Sequence, residues 1–242
     1  MLKRHYLDVA QNQDRHWWYQ GMVAINKSLL DNYLPKKKGL KILDAGCGPG
    51  AMLPHLAKYG DVIGVDISED ALKYAKKRGK VKKGDITNID FKDETFDLVV
   101  CMDVLYHMWV KDETSALKEF NRVLKKDGIL LLREPAYDWM RGNEDKGSLT
   151  ARRFSQRVLK QKLENSSFQV KKITYVNFFL FPLLLLVRIL TGFGSKRGSS
   201  DMSIPPNFIN QSLFNILKLE SALLRFVSLP FGSSLICVAR KT

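Results

Sequence analysis

The feature that most constrains this chain is a glycine-rich loop that directly follows a short apolar run. Residues 43–50 read LDAGCGPG, and Asp66 comes 16 residues after the last of these glycines. Glycines at alternate positions allow a tight turn and leave main-chain N–H groups uncovered, so that a bulky nucleoside can lie against the backbone. The run therefore predicts a strand that ends at an acid, turns through the loop and continues into a helix.

Strand-like and helix-like segments alternate along the rest of the chain, which predicts a parallel sheet with helices on both faces. The predicted strands are 40–44, 61–66, 81–85, 96–102, 128–134, 169–177 and 233–241. The predicted helices are 52–59, 69–78, 112–124 and 150–165. Because a pair of strands follows the fifth one, the last strand is expected to be antiparallel.

The whole chain, 1–242, is interpreted as one domain with three parts. Its parts are an N-terminal helical cap (1–38), a core (39–177 and 233–242) and a helical insertion before the last strand (178–232). The insertion opens with an apolar run, 178–190, that is too short to span a bilayer. Two interpretations stay open for this run: a helix packed on the sheet edge, or an apolar face for an acceptor or for peripheral membrane contact.

Composition limits the compartment and the partners. The net charge of +14 would attract nucleic acid, anionic lipid or an acidic substrate, or it belongs to a solvated lysine-rich surface. No basic segment is interleaved with aromatic residues, so nucleic acid is not the expected partner. The three cysteines are far apart, the histidines lack metal-ligand spacing, and residues 1–13 lack an apolar signal core. We therefore expect no disulfide, no metal and a cytoplasmic setting.

Two cofactor classes compete for the glycine loop. The dinucleotide pattern G-x-G-x-x-G/A is satisfied from Gly46 to Ala51, with Asp66 20 residues after Gly46. However, Asp44 directly before the loop would repel a pyrophosphate, and Asp85 after the third strand suits a hydrogen bond to an adenine amino group. S-adenosylmethionine (SAM) carries an α-amino group and a sulfonium but no phosphate, so these acids favour SAM over NAD.

With these motifs in order, the chain resembles the class I SAM-dependent methyltransferases. The resemblance rests on LDAGCGPG (43–50), VDIS (65–68), GDI (84–86), FDLVVCMDVLYH (96–107) and LKEFNRVLKKDGILLL (117–132). It implies an α/β fold, a Rossmann-like three-layer sandwich with a seven-stranded, mostly parallel sheet. It also implies methyl transfer (EC 2.1.1.-) with SAM as cofactor and S-adenosylhomocysteine as product.

The same resemblance implies a set of cofactor-binding positions. Asp44 would lie near the methionine amino group, Asp66 would bind the ribose hydroxyls, and Ile67 would stack on adenine. The remaining implied positions are the loop residues Gly46, Cys47, Gly48 and Gly50, the adenine-edge residues Asp85 and Ile86, and the main chain of Cys101 and Met102.

The two ends of the chain resemble a narrower bacterial and archaeal group, often associated with cell-surface polysaccharide or lipid-linked glycan pathways. The matching segments are HWWY (16–19), PAYDW (135–139), Arg152-Arg153, Phe181-Pro182 and PFGS (230–233). Where that group commonly has a His-Asp pair, this chain has Glu144-Asp145. A role for that histidine therefore cannot be carried over.

Candidate acceptor-side residues are few. On the cofactor side, Trp17, Trp18 and Tyr19 would support the sulfonium charge if the N-terminal helix closes over the pocket. His107, after the fourth strand, is the candidate general base, and Tyr137 would orient an acceptor at the rim after the fifth strand, beside Glu134 and Asp138. For each of these, ordinary packing is the competing interpretation.

The leading functional hypothesis is O-methylation of a small-molecule or lipid- or glycan-linked acceptor. The alternatives are an RNA or protein methyltransferase and a SAM-binding scaffold without catalysis. No Asn/Asp-Pro-Pro-Tyr motif follows the fourth strand, which speaks against the amine-methylating alternatives.

Overall fold

A computed structural model describes residues 3–142, 145, 148–191 and 203–242 of the chain. The strands are β1 (Leu40–Ala45), β2 (Gly60–Asp66), β3 (Lys80–Lys83), β4 (Phe96–Met102), β5 (Leu124–Pro135), β6 (Phe168–Val176) and β7 (Ser234–Lys241). The helices are α1 (Lys3–Asn12), α2 (Trp17–Tyr33), α3 (Leu53–Leu56), α4 (Glu69–Ala75), α5 (Glu113–Val123), α6 (Gln156–Glu164), α7 (Phe181–Thr191) and α8 (Asn207–Leu223).

The strands form one sheet of order β3-β2-β1-β4-β5-β7-β6. β7 is antiparallel to both of its neighbours, and every other pairing is parallel. The predicted seven-stranded sheet with an antiparallel last strand is thus confirmed. The reversal of strand order between β1 and β4 creates a crevice at the carboxyl edge of the sheet, where ligands bind in open α/β folds.

Two apolar layers cover the sheet, one on each face. One layer joins α5 and α6 to the sheet through Leu117, Phe120 and Leu159. The other joins α2 and α8 through Ile25 and Leu217. The central strands are buried on both faces because helices cover both, which explains why β4 and β5 read as continuous apolar runs.

Two boundaries differ from the sequence prediction by four residues or more. The helix predicted from residue 150 begins at Gln156, because Ser155 Oγ accepts the Val158 N–H and caps it there. Residues 150–154 instead run as non-helical chain, with single bridges from Thr150 to His107 and from Phe154 to Ala136. β5 begins at residue 124 rather than 128.

The N-terminal segment and the insertion before β7 are both helical, as predicted. His16 Nδ1 accepts the Trp18 N–H at 3.2 Å and starts α2, whereas the insertion contains α7 and α8. Among the described residues, no helix is both long and apolar enough to cross a membrane. The single-domain division stays a prediction.

Candidate active site

The glycine loop lies at the carboxyl edge, between β1 and α3. The N–H groups of Gly46 and Cys47 both donate to the Val65 carbonyl, at 2.7 and 3.0 Å, and so hold the loop against the end of β2. Gly46 has φ +77°, and a Cβ there would overlap the Val104 side chain. Gly48 has φ +53° with open space where a Cβ would lie. Gly46 is therefore required by packing, whereas Gly48 leaves a bare main chain facing the crevice.

Asp66 holds the loop from the end of β2. Its Oδ2 accepts the Gly48 N–H and its Oδ1 accepts the Ser68 N–H, both at 2.8 Å. The carboxylate is buried, and burial raises its pKa although these main-chain donors act in the opposite direction. Each oxygen keeps a second lone pair for a further donor.

Asp44 is the least compensated group of the site. It lies near the end of β1, only 2% exposed, and its Oδ2 has no hydrogen-bond partner among the described residues. Burial, together with the nearby Asp66, raises the pKa of Asp44 to about 7. A buried acceptor without a donor is costly, so this oxygen is suited to an incoming cationic or hydrogen-bond-donating group.

The segment after β3 presents a second part of the crevice. Ile67 is 53% exposed beyond β2, whereas the Ile86 side chain is buried in the core and leaves its main chain for any ligand contact. Asp85 is exposed, and its Oδ1 accepts both the N–H and the hydroxyl of Thr87 at 2.8 Å. This turn-forming contact engages one carboxylate oxygen of Asp85.

Asp85 also lines a cavity of about 350 Å³ that sequence reasoning did not find. The cavity is lined by Asp85, Thr87, Trp109, Lys111, Asp112 and Ser115. Trp109 is 61% exposed on the loop between β4 and α5. An exposed tryptophan shortly after a motif strand was the available signal, but only the fold places it across from Asp85.

The crevice receives little from the side chains of Cys47, Cys101 and Met102. Cys47 and Cys101 are buried, and burial raises the pKa of both thiols. Met102 packs in the layer under α2. A ligand contact through the main chain of Cys101 and Met102, at the end of β4, stays a prediction.

The start of α2 covers an arginine that sequence analysis missed. Arg133 on β5 is buried and makes a 2.5 Å ion pair with Asp103, and its guanidinium lies 5.1 Å from the Trp18 ring centre. Trp18 packs edge-on against Tyr19, whose hydroxyl pKa is raised by burial. A charged residue inside the apolar run 128–134 was the signal for this cluster.

Glu134 does not lie at an accessible rim, where the sequence analysis placed it. It is fully buried, and its carboxylate accepts the N–H groups of Val104, Leu105 and Tyr106 at 3.2, 2.8 and 3.1 Å. Burial raises the pKa of Glu134 well above its usual range. Its role in the structure is to fix the loop that follows β4.

His107 and Tyr137 lie at opposite ends of segment 150–154. His107 is half-buried, with its ring 4.1 Å from that of Tyr106 and its main chain bridged to Thr150. The Tyr137 N–H donates to the Phe154 carbonyl. The chain from residue 150 to residue 154 can reach about 13 Å when extended. His107 and Tyr137 are therefore held at two different places along this segment.

Tyr137 belongs to an aromatic cluster and has strained backbone geometry. Its φ is +56°, and its ring stacks on those of Tyr175 and Trp139 at 5.0 and 5.4 Å. Burial and Tyr175 raise its hydroxyl pKa, so the group stays protonated at neutral pH. Its neighbour Asp138 is exposed and paired with Arg141.

Glu144 and Asp145 stand where the narrower group commonly has its His-Asp pair. Glu144 lies outside the described residues. Asp145 forms a buried ion pair with Arg153, Nε to Oδ1 at 3.0 Å, and the neighbouring Arg152 pairs with Glu113. Asp145 is thus engaged in holding the segment after β5. Within the described part of the chain, no cluster of His, Cys, Asp and Glu could hold a metal ion.

The sheet has the strand order of a Rossmann-like fold. The glycine loop follows β1 and Asp66 ends β2, as in proteins of this fold that bind a nucleoside. Residues 43–132 match the model of a family described as a methyltransferase domain. Over these residues the chain is similar to the class I SAM-dependent methyltransferases, as its motifs predicted, and SAM is the cofactor of those proteins.

Individual relatives share the domain rather than the full length. An uncharacterized protein of Methanocaldococcus jannaschii is 40% identical over 105 residues, which is 43% of this chain and 45% of that protein. A ubiquinone biosynthesis O-methyltransferase of Actinobacillus pleuropneumoniae is 30% identical over 145 residues, 51% of this chain and 61% of that protein. In each case the match spans less than two thirds of the relative.

A solved structure supports the fold over nearly the whole chain. It is a SAM-dependent methyltransferase of Thermotoga maritima, described as a possible histamine N-methyltransferase. Its TM-score is 0.62 at 22% identity, and the match covers 99% of this chain and 96% of that one. At this identity the likeness concerns the fold.

Proposed function

We propose that this protein transfers a methyl group from SAM to a hydroxyl oxygen of a small-molecule or lipid- or glycan-linked acceptor. The observation that carries the proposal is the buried, unpartnered Oδ2 of Asp44 beside the glycine loop. The α-amino group of SAM is a cation that would supply the missing donor, whereas the pyrophosphate of a dinucleotide would be repelled.

The remaining cofactor roles follow from the same edge of the sheet. Asp66 keeps lone pairs free for the ribose hydroxyls while it holds Gly48 and Ser68. Exposed Ile67 offers an apolar face to adenine, and Asp85 offers its second carboxylate oxygen to the adenine amino group. Trp109, on the other side of the same cavity, would cover the base.

Bound SAM supplies a sulfonium methyl group and leaves as a neutral thioether. The protein's contribution is alignment and a site suited to positive charge. Asp44 and Asp66 lie at the carboxyl ends of the neighbouring strands β1 and β2. Their ionised carboxylates would favour the cationic cofactor.

Two residues, His107 and Tyr137, have different roles towards the acceptor. His107 accepts the hydroxyl proton as general base through an imidazole nitrogen. Tyr137 stays protonated and would contact the acceptor at the rim, with its hydroxyl already engaged by Tyr175 and by the Gly232 main chain. Oxygen as the methylated atom is consistent with the relative named as an O-methyltransferase. Aromatic residues around Tyr137 suit an acceptor with a flat or apolar portion.

Calorimetry with SAM and S-adenosylhomocysteine tests the cofactor half of the proposal. We expect micromolar binding to the wild type and to a control with a changed surface acid, Asp90→Asn. Absence of SAM binding, together with binding of NADH, would overturn it.

Transfer of labelled methyl from SAM into fractionated cell extract tests the acceptor half. Label in the small-molecule, lipid or glycan fraction that is lost in His107→Gln supports it. Label only in RNA or protein would refute the acceptor class, and SAM binding with no transfer to any fraction would indicate a non-catalytic scaffold.

A further inference from the structure

We propose that the outer face of α7, with the aromatic residues next to it, docks on an anionic lipid bilayer. The inference goes beyond the proposed methyl transfer, and its test measures no methyl transfer. Leu183, Leu186 and Ile189 follow one another at three-residue spacing and are 54, 52 and 66% exposed. Such spacing places them on one side of the helix, so α7 presents an apolar stripe to solvent.

The opposite side of α7 is fixed to the protein. The Phe181 ring is buried and lies 5.7 Å from Phe231 and 6.0 Å from Tyr137. Arg188, the one charged residue of the helix, donates to the Met140 carbonyl. The helix is therefore held with Arg188 on the protein side and with Leu183, Leu186 and Ile189 outward, which is the opposite of an ordinary surface helix.

The apolar surface continues onto aromatic residues at the carboxyl edge of the sheet. Trp139, beside Phe181, is 56% exposed, and Phe179 and Phe231 are also exposed. Pro135, Ser234 and Val176 lie side by side in the register of β5, β7 and β6. The surface therefore lies at the same edge as the candidate active site. Partly exposed tryptophan beside aliphatic residues is typical of a membrane interface.

Charge favours a lipid surface over a second copy of the chain. From residue 168 to residue 242 the sequence contains nine Lys and Arg but only two Asp and Glu. One of those acids, Glu220, is fully buried and accepts the Asn177 N–H. Lys172 is partly buried, and its Nζ donates to the Val227 carbonyl at 2.9 Å, one residue after the exposed Phe226. Arg225, Arg240 and Lys241 pair with Asp31, Asp127 and Glu94 outside this segment. The other cations leave the segment positively charged, so anionic lipid complements it, whereas two copies in a symmetric dimer would bring like charges together.

Co-sedimentation with vesicles tests the docking. The probes are vesicles of phosphatidylglycerol and phosphatidylcholine, compared with vesicles of phosphatidylcholine alone, at low and at high salt. We expect binding to the anionic vesicles that weakens with salt, and a loss of at least about tenfold in Leu186→Glu, since a charge at the centre of the stripe must be inserted into the interface. The matched control is Val158→Glu, which places the same charge at an exposed apolar position on α6. It should change binding less than twofold.

Orientation and competing outcomes are checked on the same proteins. Brominated lipid should quench tryptophan fluorescence in the wild type, and Trp139→Phe should remove most of that quenching. Equal thermal stability and SAM binding of Leu186→Glu and the wild type show that a loss of lipid binding is not a loss of fold or cofactor.

The proposal is overturned if the wild type does not bind anionic vesicles or if both glutamate variants lose binding equally. It is also overturned if light scattering shows a wild-type dimer that Leu186→Glu dissociates.

Discussion

Replacing Asp44 by asparagine should weaken SAM binding and, in the absence of SAM, remove a pH-dependent loss of stability. The carboxyl is 2% exposed with an unpartnered oxygen, and burial and Asp66 raise its pKa from 3.8 to about 7. Asparagine keeps the shape but removes the charge. The variant therefore separates the electrostatic role of Asp44 from its packing.

The sign of the stability effect follows from the raised pKa. A carboxyl with a folded-state pKa above its unfolded value stabilises fully below the unfolded value and loses that contribution as pH rises through the folded pKa. The window here lies between 3.8 and about 7. At about 1.4 kcal/mol per pKa unit, roughly 2–3 kcal/mol of unfolding free energy is lost from about pH 5 to pH 7.5. The asparagine variant should not show this loss.

The binding effect has the opposite pH dependence. An ammonium partner prefers the ionised carboxylate, so wild-type affinity for SAM should rise with pH until about pH 7 and then level off. A charge-assisted hydrogen bond exceeds a neutral one by about 1–2 kcal/mol, which corresponds to a loss of about 5- to 30-fold in the variant above pH 7. The slope below pH 7 should disappear with the charge.

Denaturant unfolding of the cofactor-free protein and calorimetry with SAM, each at several pH values, measure the two effects. Asp90→Asn, a change of an exposed acid, serves as control. The reasoning is refuted if the asparagine variant keeps both the wild-type pH slope of stability and the wild-type affinity. A large loss of stability at acidic pH would instead show that Asp44 has a structural partner.

Three further changes follow from the same geometry. Asp66→Ala should reduce SAM affinity about tenfold or more, because two loop N–H groups and the ribose lose their acceptor; unchanged calorimetric affinity would contradict the ribose assignment. Gly46→Ala should cost about 1–3 kcal/mol in denaturant unfolding, since φ is +77° and the new Cβ meets Val104; Val104→Ala in the same chain should restore only the steric part, and full restoration would mean that the backbone conformation costs nothing. Arg133→Met should destabilise by roughly 1–3 kcal/mol while Arg133→Met with Asp103→Asn loses less than the two single changes added; strict additivity would show that the ion pair is not coupled.

Much of the fold could be predicted because its signals are local. The limits of β4 were predicted as the structure has them, since an apolar run bounded by turn residues carries its own ends. The helix predicted from residue 150 was wrong at its start. Segment 150–154 is held by bridges to His107 and Ala136, and such pairing partners are distant in sequence.

The candidate site divides in the same way. The positions of Gly46, Asp44 and Asp66 follow from the strand–loop–helix pattern, and their binding roles stay predictions. Glu134 shows where sequence fails, because an acid near a strand end looks the same whether its side chain faces the rim or the interior. In the structure it is buried under three main-chain N–H groups.

The sequence alone determined the class of fold and the cofactor, because both depend on residue types at short, ordered spacings along the chain. Only the tertiary structure decided which polar groups are paired. Among the described residues it left Asp44 Oδ2 without a donor, paired Arg133 with Asp103 under Trp18, and left Leu183 and Leu186 of α7 exposed. The physical reason is that burial and partners depend on how elements far apart in sequence pack together, and these set the charge state and exposure of a side chain.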